Sequence, residues 1–161
     1  MSEIRIDPAT ESDVPTICGL IRELAVFERL LHEAVATEDQ IREELFGPKP
    51  AAEVIVARVG EEVAGFALYF HNFSTFVGRR GIYLEDLFVR SQFRGSGCGA
   101  ALLRRLAQIA LERNCGRLEW SVLDWNQRAI DFYKSLGAQP MDEWTIYRVS
   151  GTALEKLGSG S

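Results

Sequence analysis

Three glycines in five residues, Gly95-Ser96-Gly97-Cys98-Gly99, separate a β-rich run over Ile82 to Val89 from a helical stripe of Leu102, Leu103, Leu106, Ile109 and Ala110. A chain can change from period two to period 3.6 over so short a stretch only through a turn whose backbone most side chains resist, and glycine permits that turn. The spacing predicts strand, tight turn and helix, with the helix ending near Asn114 to Gly116. At a helix start the first N–H groups lack acceptors and the helix dipole is positive, so the loop is a candidate phosphate cradle. Arg94, just before it, adds a fork of donors. The plainer reading of a glycine triplet alone is a flexible connector.

The rest of the chain builds around this unit. Glu3 to Asp7 alternates and reads as a short strand ended by Pro8. Val14, Ile17, Cys18, Ile21, Leu24 and Ala25 form one helical face, with Ser12 as its expected cap and Pro15 confined to the first turn. Thr37-Glu38-Asp39-Gln40 predicts a capping box opening a second helix toward Gly47. Val54 to Val59 and Val63 to Phe70 read as a hairpin about Gly60-Glu61-Glu62. Arg117 to Leu123 is an expected strand. Asn126 caps a helix carrying Ala129, Phe132, Tyr133 and Leu136, stopped by Gly137, and Glu143 to Val149 is an expected last strand. The order β-α-α-β-β-β-α-β-α-β predicts an α/β chain, a mixed sheet with helices packed on it, in one domain over residues 3–157. Residues 158–161, Gly-Ser-Gly-Ser, read as a disordered tail.

Composition narrows the partners. Eighteen basic against 23 acidic residues leave a net charge of −5, which offers no field for nucleic acid and suits a cationic small molecule. No apolar run approaches a membrane span and the N-terminus does not open a signal peptide, so the expectation is a cytoplasmic protein without a membrane partner. Cys18, Cys98 and Cys115, with only His32 and His71 beside them, predict neither a disulfide framework nor a metal site.

The glycine loop has competitors. Gly95-x-Gly97-x-x-Ala100 also fits the dinucleotide pattern, with Glu119 near the distance of a ribose-binding acid. Several strands precede it, however, and too little chain follows for two mononucleotide halves. A P-loop would need Gly-Lys-Ser/Thr, which is absent.

Arg94-x-x-Gly97-x-Gly99 resembles the acyl-CoA pyrophosphate loop of the GNAT N-acetyltransferases, and Asn126-x-x-Ala129-x-x-Phe132-Tyr133-x-x-x-Gly137 resembles the second signature of that superfamily. Over nearly its full length the chain is similar to the diamine acetyltransferase branch. Arg22 to Glu28, Tyr83-Leu84-Glu85-Asp86-Leu87-Phe88-Val89, Asp124-Trp125-Asn126 and Ala138 carry that likeness. Phe76 stands where the branch has tryptophan, and Glu119-Trp120-Ser121 differs from the vertebrate polyamine enzymes.

The resemblance implies the GNAT fold, with a central, mostly antiparallel sheet, and acetyl-CoA as acetyl donor to a small primary amine: a diamine, a polyamine or a lysine analogue such as thialysine. It implies that Leu87, Phe88 and Val89 offer main-chain groups to the pantetheine arm, that Arg94, Gly95, Ser96, Gly97, Cys98, Gly99 and Ala100 hold the pyrophosphate, and that Asn126 and Tyr133 contact the cofactor. Substrate contacts are implied for Phe27, Glu28, Glu85, Glu119, Trp120, Ser121 and the segment from Asp142 to Trp144. A homodimer is implied as well. A non-catalytic acyl-CoA-binding module and an acetyltransferase of protein N-termini or lysines are the alternatives.

Acyl transfer to an amine needs a group that removes a proton and one that protonates the leaving thiolate. Glu85 is the candidate base, acting through water, and Glu85 with Asp86 could hold an ammonium group. Strand alternation predicts that these two carboxylates face opposite ways. Tyr133 is the candidate general acid. Its plainer reading, a core tyrosine within an apolar stripe, is outweighed by the second motif. Cys98 reads as a small helix-entry residue, and His32 and His71 carry no special pattern.

Overall fold

The computed structural model describes residues 3–160. The chain divides into two compact units, one through Leu123 and one from Asp124 onward. The first unit contains β1 (Ile4–Pro8), α1 (Val14–Phe27), α2 (Glu38–Phe46), β2 (Glu53–Val59), β3 (Glu62–Ser74), β4 (Arg79–Val89), α3 (Cys98–Glu112) and β5 (Leu118–Trp120). The second contains α4 (Gln127–Ser135) and α5 (Gly151–Gly158).

The sheet is five-stranded, in the order β1-β2-β3-β4-β5. The first four strands pair antiparallel, and β5 pairs parallel with β4 after the α3 crossover. This is the α/β arrangement that the element order predicts. On one face Val54, Val56, Phe66 and Phe88 pack with Ile17, Leu20 and Leu24 of α1 and Leu45 of α2. Alternation sends Ile55, Ala67, Ile82 and Leu84 to the other face, where the buried stripe Leu102, Leu103, Leu106 and Ile109 of α3 covers every strand.

Local chemistry explains most boundaries. Thr37 and Gln40 form the expected capping box, with Gln40 N–H to Thr37 Oγ1 at 3.2 Å and Thr37 N–H to Gln40 Oε1 at 2.9 Å. At α1 the expected cap is displaced. Thr10 N–H donates to Asp13 Oδ2 at 2.8 Å across a 3₁₀ turn over Glu11–Asp13, and Ser12 only meets the Thr10 hydroxyl. A carboxylate competes better than a hydroxyl here because it also accepts from Arg58 Nη2 at 3.0 Å.

Two strand expectations need correction. β5 covers only Leu118–Trp120 of the expected Arg117 to Leu123. The segment from Glu143 to Val149 pairs with no strand among the described residues. A period-two pattern specifies faces but supplies no partner, so it cannot by itself make a ladder. In place of the expected tail, Gly158 closes α5, Ser159 N–H returns to Glu155 O at 3.0 Å and Gly160 N–H to Leu157 O at 3.3 Å. Ser161 lies outside the described residues. Among those residues no helix is long and apolar enough to cross a membrane.

Among the described residues of the first unit, Asp13 is the buried charged one. Burial alone would raise its pKa, but the Thr10 N–H and the Arg58 guanidinium hold it below the usual 3.8. The stability it contributes is therefore complete above the unfolded pKa and is lost as pH falls through the lower folded one. Asp13→Asn is expected to destabilise the protein by about 1–3 kcal/mol at pH 7. Denaturant titration should show the gap between variant and wild type closing below pH 3.8, where the wild-type carboxylate becomes protonated.

Candidate active site

β4 carries one residue more than the segment of β3 it faces. Leu68 lies opposite Asp86 and Tyr69 opposite Leu84, which leaves Glu85 as the extra residue of a bulge. The bulge breaks the strict period two that the opposite-face expectation for Glu85 and Asp86 assumes: Leu84 and Asp86, two residues apart, lie opposite the neighbouring residues Tyr69 and Leu68 and so on opposite faces. Asp86 lies opposite Leu68, which packs against the α1 side of the sheet. Glu28, immediately after α1, completes a group of three carboxylates. Burial, then the charges of Glu85 and Glu28, push Asp86 up to about 6. Burial, then Glu85, raises Glu28.

The bulge also marks where the neighbouring strand leaves. Pairing between β4 and β5 ends at Leu84 opposite Trp120, one residue before Glu85. From Glu85 to Val89, β4 therefore has β3 on one side and, among the described residues, no strand on the other. Leu87, Phe88 and Val89, expected to offer main-chain groups to a pantetheine arm, lie on this stretch. Among the described residues the Val89 carbonyl accepts from Arg94 Nε at 3.3 Å.

The glycine loop follows a 3₁₀ turn over Ser91–Phe93. Gly97 is the residue before α3 with φ 95°, and Gly95 has φ 80°. Both are left-handed and exposed, as the turn requires. The first α3 bond runs from Ala101 N–H to Gly97 O at 3.0 Å, so the N–H groups of Cys98, Gly99 and Ala100 have no acceptor within the helix. A Cβ at Gly95 would meet nothing within 4 Å, and one at Gly97 only Ile4 Cδ1 at 3.8 Å, so the approach to these donors is open. This is a cradle that a pyrophosphate fits. Arg94 lies over the rings of Phe27, 4.7 Å from the centroid, and Phe88, 5.7 Å away, which ties the loop to the end of α1. Ser96 donates to Phe93 O and to Cys98 Sγ, and buried Cys98 packs at the helix entry as the plainer reading expects.

The structure brings Phe27, Glu28, Glu85, Phe88, Arg94 and the loop to one end of β4. Glu119 and Ser121 lie farther along, next to β4's first half. Glu119 lies opposite Tyr83 and accepts from Asn72 Nδ2 at 3.3 Å. Ser121 Oγ is 2.8 Å from the Tyr83 hydroxyl, and Tyr83 packs on Phe70 with ring centroids 5.4 Å apart. Trp120 is half-buried at the end of β5. Tyr83 escaped the sequence reading because it sits in a strand run with nothing to separate it from a packing residue. The bulge escaped it because β4 reads as an unbroken strand. His71 bridges Gly81 O, 3.0 Å from Nδ1, and Arg113 Nη1, 2.9 Å from Nε2, and so links β4 to the end of α3.

Asn126, Tyr133 and Trp144 belong to the second unit. Asn126 Oδ1 caps α4 by accepting from Ala129 N–H at 3.3 Å. Tyr133 is half-buried on α4 with its ring 5.7 Å from Phe132, and its carbonyl accepts from Leu136 and Ala138 N–H groups as the helix closes into left-handed Gly137. Leu136, expected on the apolar stripe, is exposed, as is Trp144.

The carboxylate group makes a direct prediction. Glu85→Gln removes a like charge and should lower the Asp86 pKa from about 6 toward its ordinary value, leaving only the part due to burial and Glu28. Carboxyl-carbon NMR titration of wild type and variant reads the shift, and an unmoved Asp86 would separate the two groups electrostatically.

Residues 20–138 match the Acetyltransferase (GNAT) family. Thialysine N-epsilon-acetyltransferase of Mus musculus is 39% identical, with 98% of each chain covered. L-ornithine N5-acetyltransferase NATA1 of Arabidopsis thaliana is 34% identical over 95% of this chain and 87% of its own. Among solved structures, an integron cassette protein from the mobile metagenome of V. cholerae superposes with a TM-score of 0.83 at 33% identity, covering 98% of both chains. With the glycine cradle at α3 and a β4 that parts from β5 beside it, the chain belongs to the GNAT acetyltransferase family.

Proposed function

We propose that the protein transfers the acetyl group of acetyl-CoA directly to a small primary amine, without a covalent enzyme intermediate. The observation that carries this reading is the bulge at Glu85, which gathers three carboxylates beside the free edge of β4 and the open glycine cradle. An entering ammonium group relieves the mutual repulsion of Glu28, Glu85 and Asp86, so the cluster selects a cation. A primary amine with pKa near 10.4 is neutral in only about one molecule in a few thousand at pH 7, and only that form attacks a thioester. Glu85 takes the proton, directly or through water, on the face where the amine is held.

The donor's pyrophosphate is assigned to the N–H groups at residues 95–100 with Arg94, and its pantetheine arm to the edge of Leu87, Phe88 and Val89. Bound there, acetyl-CoA supplies the activated acyl group. Asn126 is assigned a cofactor contact. Tyr133 is the group that protonates the departing thiolate, a role supported by its place in the Asn126 to Gly137 pattern. Phe27, Trp120, Ser121 and Trp144 are assigned to the acceptor, and the chemistry uses the chain's own acid and base. Thialysine, named for the mouse relative, and ornithine, named for the plant relative, are the first acceptors to try. We further assign the protein to the cytoplasm and to a homodimer, as the family resemblance implies. Light scattering at assay concentration tests the dimer.

The reaction is tested by thiol release from acetyl-CoA over thialysine, lysine, ornithine, putrescine, spermidine, spermine and a peptide. Release with one of the free amines is expected. Acetyl-CoA binding with no release from any acceptor would leave a binding module, and release with the peptide alone would make it a protein acetyltransferase.

Tyr133→Phe keeps the ring and removes the hydroxyl, so turnover should fall by about 10²- to 10⁴-fold while the fold and acetyl-CoA affinity persist. Turnover, calorimetric affinity and melting temperature on one preparation check this. Near-native turnover would return Tyr133 to a packing role.

A further inference from the structure

Beyond Tyr83 the same face of the sheet carries a second charged group that the acyl-transfer chemistry does not use. Arg79 and Gly81 precede Tyr83 on β4 at period two, Asn72 and Ser74 lie opposite them on β3, and Glu119 lies opposite Tyr83 on β5 with Arg117 two residues before it. With Arg80 and Gly116 these residues line a shallow groove open to solvent. Its glycines keep it open. A Cβ at Gly81 would lie 2.5 Å from Asn72 Oδ1, displacing the amide that holds Glu119, and a Cβ at Gly116 would lie 2.8 Å from Val77 Cγ1.

The charges of this groove are unbalanced. Two arginines of this face, Arg79 and Arg117, accompany one carboxylate, Glu119, in a chain whose net charge is −5, while Arg80, between Arg79 and Gly81, alternates to the other face and its carbonyl accepts from Gly116 N–H at 2.9 Å. Among the described residues Arg79, Arg80 and Arg117 form no ion pair. Arg79 Nη1 donates to the neutral Asn114 Oδ1 at 3.3 Å. Two guanidinium groups that form no ion pair, beside a single carboxylate, leave an excess positive charge suited to a ligand carboxylate, which they can meet through paired N–H donors.

We propose that this groove is the head-group subsite for an amino-acid acceptor. Arg117 and Arg79 bind its α-carboxylate, Glu119 faces its α-ammonium, and its side-chain amine reaches the carboxylates at the Glu85 bulge. The proposal rests on the acyl-transfer reading above and names its substrate class: α-amino acids ending in a primary amine, in preference to diamines and polyamines. The dimensions agree. Gly81 and Glu85 are separated by about 13 Å of strand. An extended lysine-sized amino acid spans about 7–8 Å between amine and carboxylate, so on this proposal the flexible arginine and glutamate side chains close the difference. Phe70 and Tyr83, stacked between the two charged ends, lie along its methylenes. A diamine would instead set its second ammonium group against the arginines, a like-charge encounter that disfavours it.

The test compares acceptors that differ only in the carboxylate: lysine against cadaverine, and thialysine against its decarboxylated diamine. For each pair kcat and KM are measured by thiol release, and affinity by calorimetry. Wild type should prefer the amino acids. Arg117→Gln, and the double variant with Arg79→Gln, should shrink the amino-acid-to-diamine ratio of kcat/KM by about 10- to 100-fold, mainly through KM. Melting temperatures confirm that the variants fold. A wild type that prefers the diamines, or variants that weaken both members of a pair equally, would overturn the subsite. Failure of the underlying reading looks different. If no amine releases thiol, yet calorimetry shows Arg117-dependent preference for lysine over cadaverine, acyl transfer is lost and the subsite stands. Equal binding of the two overturns the subsite as well.

Discussion

One inserted residue governs the geometry on which everything else here depends. Glu85 has no counterpart on β3; by adding it β4 changes which side chains share a face, and the pairing with β5 ends one residue earlier, at Leu84. On the proposed function, the same stretch of β4 provides both halves of the reaction site: a crowd of acidic groups for the amine, and an unpaired strand edge for the thioester arm. The arrangement opposes stability. Asp86 is charged only reluctantly below about 6, because its surroundings are partly buried and already negative. Folding consequently favours the protonated form of Asp86, and its contribution to stability fades as pH rises from its unfolded pKa through 6, the reverse of Asp13. Two aspartates of one unit thus pull stability in opposite directions with pH, the one at the cap serving the fold and the one at the bulge, on the proposed function, serving the amine.

Arg94 shows how the loop and the first helix are coupled. Its guanidinium rests on Phe27 and Phe88 while its Nε holds the Val89 carbonyl. The end of α1, the last turn of β4 and the glycine cradle are thereby held by one side chain. A lysine in its place would carry the charge but lose the planar face that lies against the rings.

Legibility from sequence followed how local the physics was. The strand-to-helix change about Gly95 to Gly99, the capping box at Thr37 and the stripe of α3 depend on neighbours within a few residues, and each is where its pattern places it. The cap of α1 was misplaced because Asp13 answers to Arg58, far away in sequence and adjacent only after β2 forms. The bulge was invisible for the same reason, since an extra residue exists only relative to a partner strand. The segment from Glu143 to Val149 has the composition of a strand yet pairs with none among the described residues. For the site, the glycine and Asn126 motifs point through resemblance to the residues of the proposed cofactor site, whereas the arginines at 79 and 117 are scattered charges in one dimension and come together only when β4 and β5 align.

The parting of β4 from β5 has a signature in exchange kinetics. Along an antiparallel strand, successive amides point alternately toward the two flanking positions. From Glu85 to Val89 one of those positions is occupied by β3 and the other, among the described residues, by no strand, so deuterium uptake should alternate residue by residue along a single strand, slow where the amide is bonded to β3 and fast where it faces the gap. The opening of this sheet is thus written into its central hairpin as a two-residue rhythm of protection, and a molecule lying along the gap would quiet only every second beat.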